Sequence, residues 1–120
     1  MLFFSWNAYK VIAQEITSTS PDRRKWIGMH VMSHYDVKHI YELFNKFLHF
    51  KYCLLAFEMS RKIFEDLQIY DSDLEIDEDI SINYLQGFNT EEELYKLCDQ
   101  LAVAPEMFVP PWRCNYPLAE

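Results

Sequence analysis

The sequence predicts a mainly α fold: four or five helices in one domain around an aromatic core, with room for a small β-hairpin at residues 74–85 and an α+β arrangement as the alternative. Three observations lead there. Glycine occurs only twice in 120 residues, at Gly28 and Gly87, and neither Asn-Gly nor Asp-Gly is present. A sandwich or barrel needs many tight turns, most with residues at positive φ. Apolar residues recur at steps of three and four along several stretches. Good helix-entry residues stand before three of those stretches.

Residues 2–17 set Leu2, Trp6, Tyr9, Ala13 and Ile16 on one helical stripe. Ser20, Pro21 and Asp22 then read as N-cap, first helical residue and dipole-matched acid of a helix over 21–33. Inside it Gly28 is unfavourable, and Ile27, Met29 and Val31 also alternate as a strand does. Asp36 caps a helix over about 37–50, with Ile40, Phe44, Phe47 and Leu48 inward. The clearest stripe runs over 52–69: Cys53, Ala56, Phe57, Ser60, Ile63, Phe64 and Leu67. A buried strand at 52–59 is the competing reading, and continuation of the stripe through Leu67 favours helix.

From residue 69 to 89 the period changes to two, with Leu74, Ile76, Ile80, Ile82 and Tyr84 alternating with polar residues. Thr90-Glu91-Glu92-Glu93 is a capping box that opens a helix to about Ala102, with Leu94, Leu97, Cys98 and Leu101 inward. Pro105, Pro110, Pro111 and Pro117 keep the end of the chain extended. The expected organisation is a helical domain at 1–103 and a Pro-aromatic tail at 104–120 packed across it. With 50% hydrophobic and 17% aromatic residues, a chain of this length forms a core without a staple.

Charge is sorted along the chain. Residues 1–62 hold five acids and nine bases; residues 63–120 hold fourteen acids against Lys96 and Arg113, which gives the net −8. Eight carboxylates and no base lie between Glu65 and Asp79. Such a block repels itself and presents a negative field that suits a positive partner. The plain alternative is a solvated acidic face.

Motifs for chemistry are missing. The acids Asp71, Asp73, Glu75, Asp77, Glu78 and Asp79 fail the calcium-loop pattern: from Asp71, the sixth position is Ile76 and the twelfth Ile82, where Gly and Glu are needed. His30 and His34 have the spacing of two helical metal ligands, but Val31 stands where a zinc protease carries its glutamate. No metal and no cofactor is expected. Arg23-Arg24-Lys25-Trp26 is basic beside an aromatic, which occurs in nucleic-acid sites, yet the chain as a whole repels nucleic acid. Neutralising the acidic half is the competing role for it. Cys53, Cys98 and Cys114 share no CxxC spacing and read as reduced thiols. No apolar run approaches the ~20 residues of a membrane span, and the apolar N-terminus lacks a basic leader, so the expected location is the cytoplasm.

These features point to a protein without turnover that works by occupying a partner. The first expectation is an immunity protein or antitoxin: a small acidic inhibitor that covers the basic cleft of a nuclease toxin by stoichiometric binding. The acids just named would steer, and Tyr70, Tyr84, Phe88 and Trp112 would anchor. The alternative is a regulatory or adaptor module whose Pro-aromatic tail is the ligand; an enzyme or metal protein centred on His30 and His34 is third.

Overall fold

Between Trp26 and Val31, and again between Cys53 and Phe57, almost every position is apolar or small. A strand covered on both faces gives that pattern as readily as a helix does. The computed structural model describes residues 11–32, 42–70 and 76–118, without the side chains of 42, 68–70, 76 and 77. In it both stretches are strands. The sheet has four: β1 (Val11–Ile16), β2 (Arg23–Val31), β3 (Tyr52–Ser60) and β4 (Ile80–Phe88), in the order β1-β2-β3-β4. Every neighbouring pair is antiparallel. The helices are α1 (Arg61–Tyr70), the single turn α2 (Ile76–Asp79) and α3 (Glu91–Leu101).

This overturns the expected mainly α bundle: the fold is α+β and is built on the sheet. The expected helix at 2–17 is strand β1 over its described part. The helix at 21–33 is β2. Of the one at 37–50, the described part holds a 3-10 helix, Glu42–Phe47. The long helix at 52–69 divides at Ser60, where β3 ends and α1 begins. The hairpin at 74–85 is absent over its described part; α2 leads into the one strand β4, whose partner is β3.

Physical reasons are visible locally. Ser20-Pro21-Asp22-Arg23 closes a β-turn, with Arg23 N donating to Ser20 O at 3.2 Å. Proline at the second position of a turn and at the first of a helix needs the same φ, so the signal for a helix start serves the β1–β2 connection instead. Side chains of β3 alternate between two cores. Cys53, Leu55, Phe57 and Met59 join Trp26, Phe44, Phe64 and Tyr116 on one face. Leu54 and Ala56 join Ile12, Ile27, Met29, Phe88, Leu94 and Phe108 on the other. The first face is covered by α1, the 3-10 helix and the chain end at Tyr116 and Leu118; the second by α3 and Phe108. With both faces dry, the inner strands lose the polar positions that announce an exposed sheet.

The expected α3 is present with its N-cap, and Thr90 Oγ1 donates to Glu93 Oε1 at 3.1 Å. Thr90 Oγ1 accepts from Glu93 N at 3.2 Å, and Leu94 and Cys98 are buried under it. Near the end of the described residues, Val109 forms a bridge with Ala13 of β1, and Tyr116 and Leu118 join the first core.

Candidate partner-binding face

The basic residues at the start of β2 are held by acids of their own half. Arg24 makes a two-pronged contact with Glu15, at 2.7 and 2.6 Å, and lies over the rings of Trp26 and Phe64. That bond from Glu15 raises the guanidinium pKa further. Arg23 Nε meets Glu58 Oε2 at 3.1 Å, and its other arm reaches Ser81 Oγ at 2.9 Å. These are the ion pairs among the described residues. Both close within residues 1–62. The expected role of the basic run in neutralising the acidic half is therefore not what these arginines do.

Among the described residues, most carboxylates beyond residue 62 lie toward solvent. Glu78, Glu92, Glu93, Asp99 and Glu106 are exposed and Glu91 is half-buried. None of the six forms an ion pair among the described residues. They lie around β4 and α3. Helix geometry explains the placing: Leu94 and Cys98 of α3 turn to the core, so the intervening positions turn outward. Tyr95 stands among them at 41% exposure and donates to Glu91 Oε1 at 2.6 Å. That bond, with the acids around it, raises the Tyr95 pKa.

The expected contact residues separate. Asp71, Asp73 and Glu75 lie outside the described residues. Tyr70 ends α1 and Asp77 lies in α2. Glu78 is exposed, while Asp79 and Tyr84 are half-buried. Phe88 is 1% exposed and stacks on Tyr52, so its ring belongs to the core. Trp112 is 67% exposed, but it follows the strand that bridges β1, and β1 and β4 are opposite edges of the sheet. The structure thus brings together Glu78, Asp79 and Tyr84 near β4 and sets Trp112 apart. Sequence reasoning missed Ile82, 46% exposed on β4, and Tyr95 on α3. The capping box was the available signal for Tyr95, since it fixes which residues of α3 face outward.

The other candidates also change character. His30 sits on a strand, fully buried, with Nε2 2.8 Å from Tyr116 Oη and its ring against Phe44. The helical two-histidine spacing therefore does not exist there, and His34 lies outside the described residues. Among the described residues no group of three or more His, Cys, Asp or Glu is placed to hold a metal. Burial pushes the Cys53 thiol up to about 12 and the Cys98 thiol up to about 11, which removes both as nucleophiles at neutral pH. No helix among the described residues is long and apolar enough to cross a membrane. Neither a family model, nor a curated protein, nor a solved structure matches this chain.

Proposed function

We propose that this protein is a stoichiometric binder of a basic protein, acting as an immunity protein or antitoxin that neutralises a nuclease toxin. One observation carries the reading: among the described residues the exposed acids Glu78, Glu92, Glu93, Asp99 and Glu106 around β4 and α3 form no ion pair, while the arginines of β2 are taken up by Glu15 and Glu58. An unpaired negative surface costs stability through self-repulsion and gains speed and selectivity in meeting a positive surface. Nuclease clefts that hold phosphate are positive, and an acidic cover fits them. Tyr84 on β4 and Tyr95 on α3 lie on the same elements as these acids and supply the anchors such an interface needs, while Ile82 is exposed on the other face of β4.

The adaptor reading, with the tail as a free peptide ligand, has less support. Phe108, Pro111, Tyr116 and Leu118 are buried, so the tail holds the fold together.

Titration decides the matter. The nuclease encoded beside this protein, or recovered with it from its host, is held at fixed concentration and substrate cleavage is followed as the protein is added. The expected result is a sharp break at one to one. Protection by a trace amount over many turnovers would mean that this protein is itself an enzyme acting on the toxin.

A further inference from the structure

The two edges of the sheet are finished differently. On β1 the chain returns: Ala13 N donates to Val109 O and Val109 N to Ala13 O, each at 2.9 Å, and the Gln14 amide donates to Ala104 O at 2.9 Å. Among the described residues no strand or bridge lies on the outer side of β4. Its sequence, Ile-Ser-Ile-Asn-Tyr-Leu-Gln-Gly-Phe, contains none of the lysines or prolines that blunt natural edges. Ser81, Ile82 and Asn83 are exposed in its middle. Asn83 has no partner in the β3 register, which pairs Ala56 with Tyr84 and Phe57 with Ile82. That bulge turns Ile82 to one face and Tyr84 to the other. Further on, Gly87 O accepts from the side-chain amide of its neighbour Gln86 at 3.0 Å, a local substitute of the kind an open edge uses. Beside it lies a groove of about 220 Å³ between Gly87, Phe88 and the α3 residues Glu93, Lys96 and Leu97.

We propose that β4 is a strand-addition site, at which an extended basic segment of the partner pairs with the outer edge of Ile80–Phe88. The inference rests on the reading of a basic partner given above and adds where and in what conformation that partner docks. Backbone pairing supplies attraction without regard to sequence, and the flanking side chains select. Here the strand itself is neutral, Glu78 and Asp79 stand before it, and Glu91, Glu92 and Glu93 follow it. Arg23, which touches Ser81, is already neutralised by Glu58. A segment with an apolar centre and lysines or arginines toward its ends matches this order of charge. A second copy of the chain does not. Antiparallel pairing of two β4 strands would lay Glu78 and Asp79 of one copy beside Glu91–Glu93 of the other, in a chain of net −8.

Two synthetic peptides test this on the full chain. One alternates valine and threonine between lysines; the other has the same lysines but proline at alternate positions, so that it keeps the charge and cannot pair as a strand. The expected result is binding of the first at least about tenfold tighter than the second, with slowed amide exchange at Ile80–Phe88. Ile82→Lys, at a position 46% exposed, should weaken the first peptide by about tenfold more than the second, since its charge opposes both and its side chain blunts the edge only for a pairing strand. Equal binding of both peptides would overturn strand addition while leaving the basic-partner reading intact. Failure of the first peptide to bind would overturn the site, and failure of the toxin titration would separately overturn the reading beneath it. A concentration-dependent dimer abolished by Ile82→Lys would assign the edge to a second copy instead.

Discussion

Gly28 needs no special backbone angle, since no glycine among the described residues has positive φ; what it supplies is space. A methyl group there would fall onto the phenol ring of Tyr116, whose hydroxyl is fixed against His30. The ring is buried, so it has nowhere to move. Gly28→Ala is expected to destabilise by about 1–3 kcal/mol, read from urea unfolding. The burial of His30 sets a pH response. Burial alone pushes the His30 pKa down from 6.5 to about 3. Between those values the unfolded chain binds a proton that the folded chain does not. The contribution is therefore complete above about pH 6.5 and is lost as pH falls toward about 3, by about 1.4 kcal/mol per unit. Stability of the native protein and of His30→Gln, measured from pH 7 to pH 4, should differ in slope by one proton. Parallel curves would show that His30 is not held neutral.

At the scale of the element, α3 has a well-matched start and a poorly matched end. Thr90 Oγ1 caps Glu93 N, and Thr90→Ala should cost about 1 kcal/mol in thermal or urea unfolding. Past the other end, Ala102 adopts φ 57°. Val103 N reaches Cys98 O at 3.0 Å and Ala102 N reaches Asp99 O at 3.2 Å, the paired bonds of a Schellman ending. Glycine is the residue that occupies this position without a Cβ penalty. Ala102→Gly is expected to stabilise by about 0.5–1 kcal/mol, and a loss of stability would contradict the geometry. The β3–α1 unit shows a different economy. Ser60 closes the strand and its hydroxyl accepts from Ile63 N at 3.4 Å, so strand passes to helix without an intervening loop. With Ser60 as its one polar member, a helical stripe can be drawn across that junction, which is why a single pattern reads from Cys53 to Leu67.

For the whole molecule, the separation of charge along the chain becomes a separation in space only in part. The basic half supplies the three strands β1 to β3, with its arginines satisfied internally. The acidic half supplies most of α1, β4 and α3 and leaves most of its described carboxylates outward. Glu78, Glu92 and Asp99 replaced together by lysine should slow association with a basic partner by about tenfold or more at low salt, with the difference shrinking as the Debye length falls from ~10 Å at 0.1 M toward ~3 Å at 1 M. Stopped-flow mixing over a salt series measures this, and equal rates at low salt would remove electrostatic steering from the proposed function.

The sequence by itself determined the net charge and its sorting, the N-cap and inward face of α3, and the fixed φ of Pro105, Pro110, Pro111 and Pro117. Each of these is local: a carboxylate is charged wherever it lies, Thr90 bonds a nitrogen three residues on, and proline fixes its own φ. Tertiary structure alone decided that Trp26–Val31 and Cys53–Phe57 are strands, because the covering of both faces by α1, α3 and the chain end removes the alternation by which a strand is recognised. It also decided the candidate site. Which side of a strand is buried depends on register, and the bulge at Asn83 reverses the phase in the middle of β4. Beyond the bulge Phe88 falls on the face of Tyr52 and becomes core; Ile82 is left at the surface, and Trp112 goes to the far edge of the sheet. Those placements follow from long-range pairing, which no spacing within a single segment encodes.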